Sequence, residues 1–87
     1  MPDPIEVTLL TQDMCKLCDE AKAVLDRLGG EFPVGVTTVS LGSERGKQLA
    51  LAGGVMFPPA VFVEGEPFSY GRLSERKLRK ALSRLAA

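Results

Sequence analysis

The chain predicts a single α/β domain with the element order β-α-β-α-β-β-α. Three observations lead there. Short alternating or continuous apolar runs begin at Ile5, Val34 and Ala60. Apolar residues recur at helical spacing in the stretches that follow Met14, Glu44 and Ser74. Glu64-Gly65 then separates the third run from a fourth in the manner of a hairpin turn.

Ile5, Val7 and Leu9 alternate with Glu6 and Thr8, and Leu10 extends the apolar end, so the first strand enters a core before Thr11-Gln12-Asp13 breaks it. Between Met14 and Leu28, the residues Leu17, Ala21, Val24, Leu25 and Leu28 share one helical face, while Lys16, Asp19, Glu20, Lys22, Asp26 and Arg27 take the other. Gly29-Gly30 ends that helix. Val34 to Ser40, rich in valine and threonine, is a second strand, weakened by Gly35. Ser43 caps a short helix over 44–52 in which Gly46 is an unfavourable early residue and Gly53-Gly54 a stop.

Phe57-Pro58-Pro59 is a turn or extended entry, and Ala60-Val61-Phe62-Val63 suits a buried strand. Glu66 to Tyr70 returns as its hairpin partner, with Pro67 assigning it to a sheet edge. Ser74 caps a last helix whose buried stripe is Leu78, Ala81, Leu82 and Leu85. Arg76, Lys77, Arg79, Lys80 and Arg84 form a solvated basic face, its later members near the negative helix end.

Residues 1–87 leave room for one domain with a thin core. Eleven basic residues against eleven acidic ones argue against nucleic acid or an anionic membrane as the main partner, and a monomer is expected. The start, Met1-Pro2-Asp3-Pro4-Ile5, lacks the pattern of a secretory signal, so the expected compartment is the cytoplasm. There a close cysteine pair is more often catalytic, redox-sensing or metal-binding than a structural staple. Histidine is absent, so one chain cannot complete a cysteine-histidine zinc site, and a four-cysteine site would need two chains.

Both cysteines lie in Cys15-Lys16-Leu17-Cys18, at the junction of the first strand and first helix. Three positions apart on a forming helix, the two thiols lie within bonding reach. An ordinary thiol is only ~3% ionised at neutral pH, and the thiolate is the reactive form. Cys15 in the first helical turn would meet free backbone N–H groups and the positive dipole end, which stabilise a negative sulfur. Cys18, one turn inward on the stripe of Ala21 and Leu25, is the more buried. The asymmetry makes Cys15 the attacking thiol and Cys18 the resolving one. Lys16 adds positive potential. Asp13 and Asp19 are read as helix cap and early-turn charge, and a carboxylate of this pair close to Cys18 is also a candidate acceptor of its proton. Met14, Phe57, Phe68 and Tyr70 are read as packing or surface residues, with Met14 and Phe57 an alternative apolar rim around Cys15.

The residues resemble the glutaredoxin-like and thioredoxin-like proteins, specifically the short bacterial type with a C-x-L-C pair. The resemblance rests on Val7 to Leu10 before the cysteines, on Pro59-Ala60-Val61-Phe62-Val63 with Gly65, and on Gly71-Arg72-Leu73-Ser74-Glu75 before the last helix. It implies a thioredoxin-like, glutaredoxin-type fold: a four-stranded mixed sheet ordered 2-1-3-4, the third strand antiparallel to the first, and three helices on both faces. It also implies that Pro59 is cis and that Lys16, Leu17, Pro58 and Pro59 contact substrate. The alternative register makes Pro58 the cis residue. Glutathione-using members carry C-P-Y-C, a basic residue before the pair, threonine-valine before the cis proline and a late glycine pair. Here those places read Lys16-Leu17, Thr11-Gln12-Asp13, Phe57-Pro58 and Ser69 to Leu73, so the glutathione site is not matched. Pro58, lacking an N–H, removes one of the two backbone hydrogen bonds that a docked extended peptide would make.

The function expected is reversible thiol–disulfide exchange with a disulfide-containing protein or small thiol substrate. No bound cofactor is expected, and glutathione or a reductase system would be the electron donor. The alternatives are a redox-sensing or protein-binding module without turnover, and a [2Fe–2S] cluster bridged between two chains.

Overall fold

The structure is a computed structural model that describes residues 3–87; Met1 and Pro2, part of the start read for a signal, lie outside the described residues. The elements are β1 (Ile5–Thr11), α1 (Lys16–Gly29), β2 (Val34–Ser40), α2 (Glu44–Gly53), β3 (Ala60–Val63), β4 (Glu66–Tyr70) and α3 (Glu75–Ala86). They form one sheet ordered β2-β1-β3-β4. β1 and β2 are parallel, which requires the crossover that α1 supplies, while β3 is antiparallel to both β1 and β4. The topology is the one that the sequence resemblance implies.

The period-two alternation of β1 divides the interior into two layers. Ile5, Val7 and Leu9, with Val61 and Val63 of β3, face α1 and α3 and pack against Ala21, Val24, Leu25, Leu28, Leu73, Leu78 and Leu82. Leu10, Val39, Ala60 and Phe62 project to the other face, where Leu49 and Ala50 of α2 and Val55 after it cover them. β1 and β3, the two central strands, each contribute to both layers.

Helix ends follow the local chemistry. The Ser43 and Ser74 hydroxyls accept from the N–H groups of Gly46 and Lys77, capping α2 and α3 as expected. Gly54 closes α2 at φ 64°, its N–H shared between Ala50 O and Leu51 O. At the end of α1, Gly29 is the last helical residue and Gly30 follows in a right-handed conformation, so this glycine pair ends the helix without a left-handed cap. Glu64 and Gly65 both have positive φ, 52° and 81°, as a two-residue hairpin turn that matches strand twist requires.

Three local expectations change. Thr11, read as part of the break after the first strand, is the last residue of β1 and is buried. Leu85, assigned to the buried stripe of the last helix, is half exposed, because the core ends at Leu82. Arg79, placed on a solvated basic face, keeps 41% of its side chain exposed but is also ion-paired, donating to Glu31 at 2.8 Å and Glu75 at 3.2 Å. Arg27 completes this cluster at 2.7 Å from Glu75, tying the end of α1 to the start of α3.

Candidate active site

The register fixes where the reactive groups meet. Leu10 of β1 pairs with Ala60 of β3, so the C-terminal end of β1 lies beside the N-terminal end of β3. The turn that carries the cysteines leaves the first of these ends, and Pro58-Pro59 enters the second. Residues far apart in sequence thus converge at one end of the sheet, and the N-terminus of α1 stands above it.

Cys15 and Cys18 are joined as a disulfide, with their Cα atoms 5.2 Å apart. Cys15 is the N-cap of α1 rather than a member of its first turn: its backbone is extended, at φ −117° and ψ 105°. Its Sγ accepts from Cys18 N–H at 3.1 Å and its carbonyl accepts from Asp19 N–H at 3.1 Å. The sulfur therefore occupies the place that a serine or aspartate oxygen usually takes at a helix start. Asp13, read as the cap, is exposed and stands two residues before it. Met14 supplies the reversal between them at φ 54°, with its side chain fully exposed.

The two sulfurs differ in access as their helix positions imply. Cys15 is partly exposed, whereas Cys18 is 1% exposed. Lys16 stands in solvent and Leu17 is half-buried. Among the described residues, Thr11 is the buried polar residue and no charged side chain is buried. Thr11 lies on the same β1 face as Ile5, Val7 and Leu9, beneath the helix that carries Cys18. Extending the period-two pattern by one step would have found it; its polarity made it read as a turn residue. Asp13 and Asp19, the flanking carboxylates considered as proton acceptors for Cys18, are both exposed.

The cis peptide bond is Pro58-Pro59, which makes Pro59 the cis residue and removes the alternative of a register shifted to Pro58. Pro59 is buried, its carbonyl accepting from Gly71 N–H at 2.7 Å, and Pro58 is half-buried. Around this end stand exposed apolar side chains: Met14, Met56, Phe57 and Tyr70. Phe57 and Tyr70 meet edge to face, with ring centroids 5.4 Å apart. Gly71, at φ 82°, lets the Phe57 ring approach: an added Cβ would lie 3.0 Å from it. Met56 and Tyr70 were not assigned to this rim from the sequence, since only the β3–β4 hairpin brings Tyr70 back to Pro59.

Two surface clefts lie away from the cysteine pair. The larger cleft, about 360 Å³, lies between the end of α2 and β4 against Gly53, Phe62 and Tyr70, and the smaller, about 220 Å³, lies between α1 and β2. Neither is lined by a cysteine. The cysteines present an open, apolar-rimmed surface, and among the described residues no group of three or more His, Cys, Asp or Glu is placed to hold a metal ion.

No protein-family model matches the chain. Among curated proteins, a thioredoxin of Methanocaldococcus jannaschii is 25% identical over 80 residues, covering 92% of this chain and 94% of that protein. Among solved structures, a mutant thioredoxin from Halobacterium salinarum NRC-1 superposes with a TM-score of 0.74 at 19% identity, over 98% of this chain and 77% of that one. A structure described as that of a malarial protein gives 0.67 at 17% identity, over 97% and 98%. The chain has the thioredoxin fold.

Proposed function

We propose that this chain, thioredoxin-like in fold and in its C-x-x-C pair, is a thiol–disulfide oxidoreductase in which Cys15 is the nucleophile and Cys18 the resolving thiol. The observation that carries this reading is the disulfide across the start of α1, with one sulfur reachable at the helix tip and the other buried. In the reduced pair, the N–H groups at the helix start stabilise a Cys15 thiolate. That thiolate attacks one sulfur of a substrate disulfide, forms the mixed disulfide and releases the other substrate sulfur as a thiolate that takes up a proton. Cys18 gives up its proton and attacks Cys15 Sγ. The Cys15–Cys18 bond forms, the second substrate thiolate leaves and is protonated, and two electrons have passed to the substrate.

The open setting of the pair supports a disulfide-containing protein as substrate, with small thiols as poorer ones. Lys16 and Leu17 beside the sulfurs, and Pro58 and Pro59 at the adjoining strand end, are the groups proposed to touch it. Met14, Met56, Phe57 and Tyr70 would cover apolar substrate surface. A reductase system or glutathione would return the electrons, and the unmatched glutathione pattern favours the reductase system.

A disulfide-reductase assay with each donor tests the reading. Cys15→Ser should abolish turnover, and Cys18→Ser should accumulate a mixed disulfide with substrate that mass spectrometry detects. Undiminished turnover by Cys15→Ser would refute the mechanism. One observation favours a second reading, a redox-sensing module without turnover: Pro58 has no N–H to hold an extended substrate peptide. Redox-dependent binding of a partner protein, with no turnover of any disulfide substrate, would select it.

A further inference from the structure

The two edges of the sheet are built differently. β4, one edge, carries Glu66 and Pro67 and a bulge: Val61 pairs with Ser69 but Phe62 with Pro67, leaving Phe68 as the extra residue. Charge, proline and bulge are the devices that keep an edge from pairing with another strand. β2, the other edge, has none of them. Its sequence Val34-Gly35-Val36-Thr37-Thr38-Val39-Ser40 has no charged residue and no proline, and it pairs in unbroken register with β1. Val36 is 45% exposed.

The hydrogen bonds at the two ends of β2 show which of its backbone groups are free. Pro33 O accepts from Ile5 N–H, and Leu41 N–H donates to Thr11 O. Odd-numbered residues therefore bond to β1, and the even-numbered ones direct N–H and C=O away from the sheet. Two of these outward groups are used internally: Val34 N–H donates to Phe32 O, and Ser40 O accepts from Ser43. Among the described residues, Val36 and Thr38 keep both groups free, Val34 keeps its carbonyl and Ser40 its N–H.

The geometry points to a second copy of this chain as the occupant of this edge, paired antiparallel, β2 to β2, about a twofold axis at Thr37. In that register Val36 and Thr38 exchange both backbone bonds with their counterparts across the axis. Ser40 N–H meets Val34 O, and the two groups already engaged fall opposite each other with no bond to make. The edge is complementary to itself in its donors and acceptors, as an isologous interface must be.

The side chains agree. Val36 and Thr38 share the β1 face of Val7 and Leu9, and they line the smaller cleft together with Lys22 and Asp26 of α1. Because α1 runs back along the sheet, Lys22 lies toward Thr38 and Asp26 toward Val36. The twofold sets Val36 beside the other copy's Thr38, and so directs Lys22 of each copy towards Asp26 of the other. This dimer departs from the monomer expected from the sequence, and it is independent of the redox chemistry.

Sedimentation of the full-length chain over a series of rising concentrations tests it. The wild type should shift from monomer toward dimer mass. Thr38→Pro, which deletes an outward N–H and spares the bonds to β1, should weaken association at least about tenfold. If that variant fails to fold, Thr38→Lys places a charge on the edge for the same purpose. Lys22→Asp should weaken association about fivefold, and the exchange Lys22→Asp with Asp26→Lys should restore it. A wild type that stays monomeric at every concentration would overturn the proposal, as would a dimer that none of these variants weakens.

Discussion

Gly46 and Gly53 show how one residue position can reverse a general rule. Glycine inside a helix ordinarily costs roughly 0.5–1 kcal/mol relative to alanine, and so Gly46 reads as a defect in the sequence. In the fold it is where α2 passes over the end of β2: an added Cβ would lie within contact distance of the Ser40 carbonyl, 2.8 Å from its carbon. Gly53 is the milder case: an added Cβ would lie 2.9 Å from the outer edge of the Phe62 ring, a side chain rather than backbone. Gly46→Ala should therefore lower stability by about 1–3 kcal/mol rather than raise it, as denaturant unfolding would measure. Alanine at Gly29, where nothing lies within 4 Å, should by contrast be close to neutral or mildly stabilising. At this scale the cysteines were largely legible: their spacing and the start of a helical pattern implied a reachable sulfur and a buried one. That Cys15 itself caps the helix was not, because Asp13 carries the more usual capping chemistry, and only the backbone geometry assigns the place.

At the level of elements, α2 and α3 were readable from their capping serines and α1 from its apolar stripe, all of them local signals. α3 is the clearest case. Ser74 caps it and Leu78 and Leu82, both fully buried, hold it on the sheet. Leu82→Ala should cost about 2–5 kcal/mol and Leu85→Ala much less, since Leu85 is half exposed; thermal unfolding of the two variants would rank them. The sequence pattern placed both leucines on one stripe, since periodicity reports a face and not where the core stops. The strands show the same division. Pro67 assigned β4 to an edge in advance, whereas nothing local marked β2 as the opposite, undefended edge.

The whole molecule is tied together by groups whose pairing no local pattern contains. Glu31, Arg27, Glu75 and Arg79 join the end of α1 to the start of α3. Hydrogen bonds from Arg79 and Arg27, respectively, hold the Glu31 and Glu75 carboxyls below the usual carboxylate range. A carboxyl with a lower pKa in the folded state than in the unfolded chain stabilises the fold above its unfolded value, about 4.3, and loses that contribution as pH falls through the folded value. The melting temperature should therefore be insensitive to this cluster near neutrality and decline below about pH 4.3. Arg79→Gln should flatten that acid decline, although the effect is small because the groups are exposed to solvent.

The sequence by itself determined the order of elements, the capping serines, the hairpin at Glu64-Gly65 and the unequal cysteines at a strand-to-helix junction. These are encoded within a few residues, by periodicity, capping and turn chemistry. Only the tertiary structure decided that Pro59 stands at the strand end beside the cysteine turn, that Tyr70 returns to pack on Phe57, that Gly46 has no room for a side chain, and that the β2 edge, which the resemblance implied, pairs without bulge, charge or proline. Each of these depends on the close approach of segments distant in the chain, and such approaches are set by sheet register and helix packing together rather than by any stretch of residues alone.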